Sequence, residues 1–229
     1  KLTTFGTKEL KTITGWEKTK INNLIHTLTK KNIITKIKRN HLTLTKNLPH
    51  KSHEIATEII KPSYVSLWTA LSYYGFTEQQ TKTIQLISTK QKKDIKKEAI
   101  NIEVTTLKPD RFYGYRKNNF PIAEKEKALI DSLFKPDKVG GLQEYTKCLT
   151  NAWSQIEEKR FIEYLIKFNN KSMTSRAGYL IEETGLETKN INTLQKNKSQ
   201  THVKLNPNKP KKKKYNNRWN ININEDIKK

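Results

Sequence analysis

The chain has a single cysteine, Cys148, among its 229 residues, so it can form no intramolecular disulfide. A lone thiol of this kind ordinarily packs as a small apolar residue. No apolar run approaches the ~18 residues that a membrane-spanning helix needs. No short apolar stretch follows a basic start, as a secretory leader would, so the cytoplasm is the expected compartment. Acidic residues are scarce: 22 Asp+Glu face 45 Lys+Arg, for a net charge of +23. That imbalance predicts a polyanionic partner, nucleic acid or an acidic membrane surface. No basic amphipathic helix supports the membrane. Signatures of catalysis are missing too. There is no glycine-rich phosphate loop and no GxSxG turn. Glu103, Lys108 and Asp110 lack the carboxylate-x-lysine core of a metal-dependent nuclease. His50 and His53 stand beside Glu54, but no matching ligands occur elsewhere, so neither a metal nor a cofactor is expected. The expectation is a binding protein and not an enzyme.

The positive charge is unevenly spread. Residues 1–50 hold 11 basic and 2 acidic side chains, a net of +9. Residues 51–195 hold 23 and 18, a net of +5, and residues 196–229 hold 11 and 2, again +9. Three regions follow: an N-terminal DNA-binding module at 1–50, an ordinary globular domain at 51–195, and a basic tail at 196–229.

The first region reads as helix, turn, helix and a two-stranded wing. Thr7 is placed to cap a short helix over residues 8–12, with Leu10 and Ile13 turned inward. Thr14-Gly15 supplies the turn. A second helix is predicted over residues 16–31, because Ile21, Leu24, Ile25 and Leu28 follow the i, i+3, i+4, i+7 spacing of one buried face. The opposite face centres on Thr19, Asn23, His26 and Lys30, with Lys18, Lys20 and Asn22 at its flanks. Asparagine can pair with adenine edges, and lysine reaches phosphate or guanine. Two alternating segments then surround Arg39-Asn40, which predicts a hairpin carrying Lys36, Lys38, Arg39 and His41. The chain starts at Lys1 and not at methionine. A winged helix ordinarily has a helix ahead of the first one legible here, so that helix is expected to be missing or very short.

The middle region predicts a mixed domain. Residues 54–60 read as a short helix, and Pro62 opens a longer one that Gly75 ends. Residues 83–89 and 99–107 read as paired strands flanking a charged turn, and 111–115 as a third short strand. Helices are predicted over 122–134, 155–168 and 173–183. Trp68, Tyr73 and Tyr74 read as core and interface. Arg176, on an otherwise apolar helix, reads as the partner of a carboxylate or else as a functional residue, the pair being favoured. From Lys196 the periodicity stops, and the Asn-, Lys- and Pro-rich tail reads as disordered. Its Lys211–Lys214 run with Tyr215, Arg218 and Trp219 suits loose contact with nucleic acid, and equally a tail that only solubilises the chain. The fold class is α+β: an N-terminal winged helix-turn-helix, then a small sheet with several helices, then the tail.

Three runs carry a family likeness: PSYVSLWTALSYYGFTEQ (residues 62–79), IAEKEKALIDSLF (122–134) and SRAGYLIEETG (175–185). In this order they resemble the AbiEi family of antitoxins, components of type IV toxin–antitoxin pairs. The third has Ala177 where the family tends to leucine. The likeness spans about residues 5–186. It implies a regulator that binds double-stranded operator DNA, represses its own operon and counteracts a nucleotidyltransferase-like toxin. Two other readings stay open: a solitary transcriptional regulator, and a protein-interaction module that neutralises a partner without specific DNA binding.

Overall fold

Glu9 reaches back from the first turn of helix α1 (Thr7–Thr14) to accept the Gly6 N–H at 2.9 Å, which starts the helix. At its far end Gly15 takes φ 69°, a backbone that a side chain would strain, and its N–H closes on the Lys11 carbonyl at 2.8 Å. Helix α2 (Lys18–Lys30) follows. The computed structural model describes residues 3–227. It divides into two units: one of Lys1–Val65, Thr81–Lys108 and Lys117–Ile122, the other of Ser66–Gln80, Pro109–Arg116 and Ala123–Lys229. These divisions do not fall at residues 50 and 195, where the charge steps were.

In the first unit, strands β1 (Ile34–Lys38) and β2 (His41–Leu44) form the antiparallel wing. Phe5 adds a bridge to Leu42, exchanging hydrogen bonds of 2.9 and 2.7 Å. Helix α3 (Leu48–Ile59) packs under the wing and holds the leading segment, since Glu58 accepts from the Thr4 N–H and hydroxyl at 3.0 and 2.7 Å. It begins earlier than the helix expected at 54. Pro62 does not open a helix. β3 (Ser63–Val65) follows it, and helix α4 (Leu67–Tyr73) begins only after Ser66. The reason is pairing: Tyr64 and Val65 lie opposite Ile87 and Leu86 of β4 (Thr83–Ser88), a register that buries all four. Strands β5 (Ile95–Lys97) and β6 (Ile100–Thr106) form a hairpin, and β6 runs parallel to β4. β7 (Tyr115–Lys117) lies where the units divide, later than the strand expected at 111–115. β8 (Pro121–Ala123) joins β3 through Val65 and Ile122, so the sheet runs β5-β6-β4-β3-β8.

The second unit is helical. α5 (Lys125–Phe134) is its axis, buried all round from Glu126 to Leu133 and touched by α4, α6 (Leu142–Ala152), α7 (Glu158–Lys167) and α8 (Lys171–Glu183). Even Lys127 and Asp131 are fully enclosed. They pair with each other, the Ser66 hydroxyl donates to Asp131 at 2.8 Å, and the Lys127 ammonium lies 5.1 Å from the Tyr113 ring. Burial holds the Lys127 pKa below the usual lysine range, against the opposing pull of Asp131.

The tail is folded, contrary to the expected disorder. After α9 (Ile191–Lys196), strands β9 (Val203–Lys204), β10 (Tyr215–Asn216) and β11 (Ile221–Asn222) make a small sheet in the order β10-β11-β9. Trp219 is wholly buried against Gly178 of α8, and its indole N–H donates to Glu182 at 2.6 Å. Asparagines supply the remaining order. Asn224 accepts the Asn206 N–H at 2.8 Å and donates to the carbonyls of Asn206, Lys209 and Pro210. An amide side chain offers both donor and acceptor, so it can pair with backbone where no ladder is available.

Candidate nucleic-acid interface

The sequence of α2 fixes its orientation. Ile21 is its one buried residue, 1% exposed, while Leu24, Ile25 and Leu28 are half-buried. The residues expected to face outward all do: Lys18, Thr19, Lys20, Asn22, Asn23, His26 and Lys30 are exposed. Two details limit what this face offers an anion. The Lys20 ammonium sits 4.1 Å above the Trp16 ring, which holds it in a cation–π contact. Glu17, the N-cap of α2, is exposed and puts a carboxylate at the end of the helix that would otherwise attract phosphate. Helix α1 departs from expectation, for it buries no residue and Ile13 is 71% exposed instead of inward. Its two turns pack chiefly on α2.

In the wing a bulge decides which way Lys38 points. Strict alternation from the buried Ile34 would turn Lys36 and Lys38 inward as well. The register instead shifts between Lys36, opposite Leu42, and Lys38, opposite His41. The extra residue, Ile37, goes into the core at 1% exposure, and Lys36 and Lys38 both face out. Arg39 is exposed at the tip, where Asn40 turns the chain at φ 59°. His41 is half-buried beside them. Burial, then the Lys38 charge, lowers its pKa below the ordinary histidine value, with Glu9 and Glu58 opposing. The ten residues picked from the sequence are thus all accessible, seven on one helix and three on the adjoining hairpin.

Other candidates dissolve. Among the described residues no group of three or more His, Cys, Asp or Glu side chains is placed to hold a metal. His53 lies in α3 with its ring 5.0 Å from Phe120. Among the described residues no carboxylate pairs with Arg176: its Nε donates to the Lys204 carbonyl at 2.9 Å, tying α8 to β9. Cys148 is buried, and burial pushes its thiol up to about 11. In the tail Lys211–Lys214 are exposed, but Trp219 is buried and Arg218 pairs with Glu182 at 2.8 Å, so neither is free to stack on bases. Among the described residues no helix is long and apolar enough to cross a membrane. Sequence reasoning missed one neighbour of the wing: β5, the lysine-bearing edge strand of the larger sheet, comes within 8 Å of β1. The lysine run was visible, but not the fold that brings it there.

No family model matches the chain, and no curated protein matches it either. The fold is similar to that in the crystal structure of the RV2827C protein from Mycobacterium tuberculosis. The two share 12% identity over 96% of this chain and 86% of the other, with a TM-score of 0.68. At that identity the likeness is one of fold.

Proposed function

We propose that the chain is a cytoplasmic transcriptional regulator that binds double-stranded DNA, with α2 in the major groove and the wing on the phosphate backbone. The observation carrying this reading is the exposure of Thr19, Asn22, Asn23, His26 and Lys30 on α2 and of Lys36, Lys38 and Arg39 on the wing that follows it. Amides that can read base edges accompany cations that can hold phosphates, which is how helix-turn-helix modules divide the work. The three motif runs support the narrower reading: an antitoxin of the AbiEi type that represses its own operon and opposes a nucleotidyltransferase-like toxin. Asn23→Ala tests the base-reading role. It removes a possible bidentate adenine contact worth about 1–3 kcal/mol of discrimination. Gel shifts on the DNA upstream of the gene should show the ratio of specific to non-specific affinity falling about tenfold, with circular dichroism unchanged. An unaltered ratio would mean that this face does not read bases.

A second reading has one observation in its favour. Ile13 and Ile33 are 71% and 47% exposed on the same module, apolar side chains that a protein partner would cover. A chain that captures a toxin but shifts no DNA at low salt would favour that reading.

A further inference from the structure

Between β4 and β5 the chain reads TKQKKDIKK (residues 89–97), with five lysines and a single acid. Lys90, Lys93, Lys96 and Lys97 are exposed and Lys92 is half-buried. Among the described residues Asp94 forms no ion pair with them; its carboxylate accepts the Val104 N–H at 2.9 Å. Glu98 follows and is exposed. Lys147, Lys209 and Lys212 in the second unit pair with carboxylates. Among the described residues none of these five does.

Their position in the fold matters more than their number. β5 is an edge strand, hydrogen-bonded to β6, and it comes within 8 Å of β1, the strand that carries Lys36 and Lys38. The charge distribution changes meaning accordingly. Residues 51–195 carry a net +5, yet the part of them in the second unit balances to zero. The whole excess belongs to the unit that holds the winged helix, with 7 basic and 3 acidic side chains in residues 81–108. Lysine on an edge strand also discourages sheet-to-sheet pairing. That role suits Lys96 and Lys97 but leaves the loop lysines Lys90, Lys92 and Lys93 without a reason.

We propose that the β4–β5 lysines are a second phosphate-contacting surface, continuing the wing and lengthening the protein's footprint on duplex DNA. The proposal rests on the DNA-binding reading of the module. A duplex presents about one charge per 1.7 Å of axis, so cations one strand away from the wing meet further phosphates and not the ones already held. These contacts carry no sequence information. They add affinity to every duplex alike and steepen its dependence on salt.

The test uses the full chain and a labelled random-sequence duplex of about 30 bp, titrated from about 50 to 300 mM salt. The variants are K92Q/K93Q/K97Q, the loop pair K90E/K93E, and the wing set K36Q/K38Q/R39Q. Each lost phosphate contact should flatten the slope of log affinity against log salt by about 0.9. The β4–β5 triple should therefore lose about two to three units of slope and bind at least about tenfold more weakly at low salt, with its thermal melting unchanged. The loop pair lies wholly outside the strands, so it reads the same surface should the triple disturb the sheet. If the wing set flattens the slope and both β4–β5 variants leave it intact, this surface is refuted and the DNA-binding module stands. If the unaltered chain binds no duplex at low salt, both fall.

Discussion

An alanine at position 178 would place its Cβ 2.2 Å from Cζ3 of Trp219, 2.3 Å from Cη2 and 2.4 Å from Cε3. A methyl group has no rotamer with which to escape, and the indole opposite is fully buried and held by Glu182 at 2.6 Å. Either α8 shifts or the indole leaves. Forcing a methylene into a packed core costs about 1–3 kcal/mol. Expelling the indole altogether costs no more than deleting it, about 3–5 kcal/mol for a Trp→Ala change. Net of alanine's preference for a helix, Gly178→Ala should thus destabilise by up to about 2 kcal/mol, and by no more than Trp219→Ala does. In a Trp219→Ala background the clash is gone, and alanine is favoured over glycine inside a helix by about 0.8–1.0 kcal/mol. The same substitution should then stabilise. Urea denaturation of the four proteins, followed by far-ultraviolet circular dichroism, gives the coupling energy, which should equal the cost of the clash, about 1–3 kcal/mol. Equal effects of Gly178→Ala in both backgrounds would show that the tail does not seat its tryptophan on α8.

Two further predictions concern buried charge. Lys127→Met leaves the Asp131 carboxylate enclosed without its cation and should cost about 3–5 kcal/mol, whereas Lys127→Met with Asp131→Leu should recover most of that loss in the same denaturation assay. Burial holds the His53 pKa below its ordinary value of 6.5, so the unfolded chain binds the proton more readily. The resulting stability is complete above about pH 6.5 and is lost as pH falls toward the folded-state value, by at most about 1.4 kcal/mol per pH unit for one histidine. His53→Phe should flatten the acid limb of a melting-temperature profile, and an unchanged limb would assign the effect elsewhere.

The parts of the fold written in local periodicity were legible in the sequence. Ile21, Leu24, Ile25 and Leu28 oriented α2, Gly15 marked the turn, and Arg39-Asn40 marked the hairpin. What depended on distant partners was hidden. Tyr64 and Val65 fit a helix as well as a strand until Leu86 and Ile87 lie beside them. The wing bulge is a register choice between two strands, and no local pattern announces it. α6, which carries Cys148, was passed over altogether. The tail misled for a chemical reason: counts of apolar residues give no weight to asparagine, yet Asn206, Asn222 and Asn224 hold that segment together. Splitting charge by position along the chain likewise hid the lysines of residues 90–97, because the fold assigns them to the winged helix's unit.

The units are not successive lengths of chain. The backbone changes from one to the other after residues 65, 80, 108, 116 and 122. A recombination breakpoint anywhere in that interval would divide both units at once, and only breakpoints ahead of it can exchange the helices and wing for another set. A lineage can therefore replace the N-terminal helices and wing in a single step, while strands β4 to β6 and their lysines stay behind with the helical unit. On the DNA-binding proposal, operator choice and the general grip on DNA would then descend separately. Relatives that read unrelated operators would still be expected to share the charged edge beside the wing.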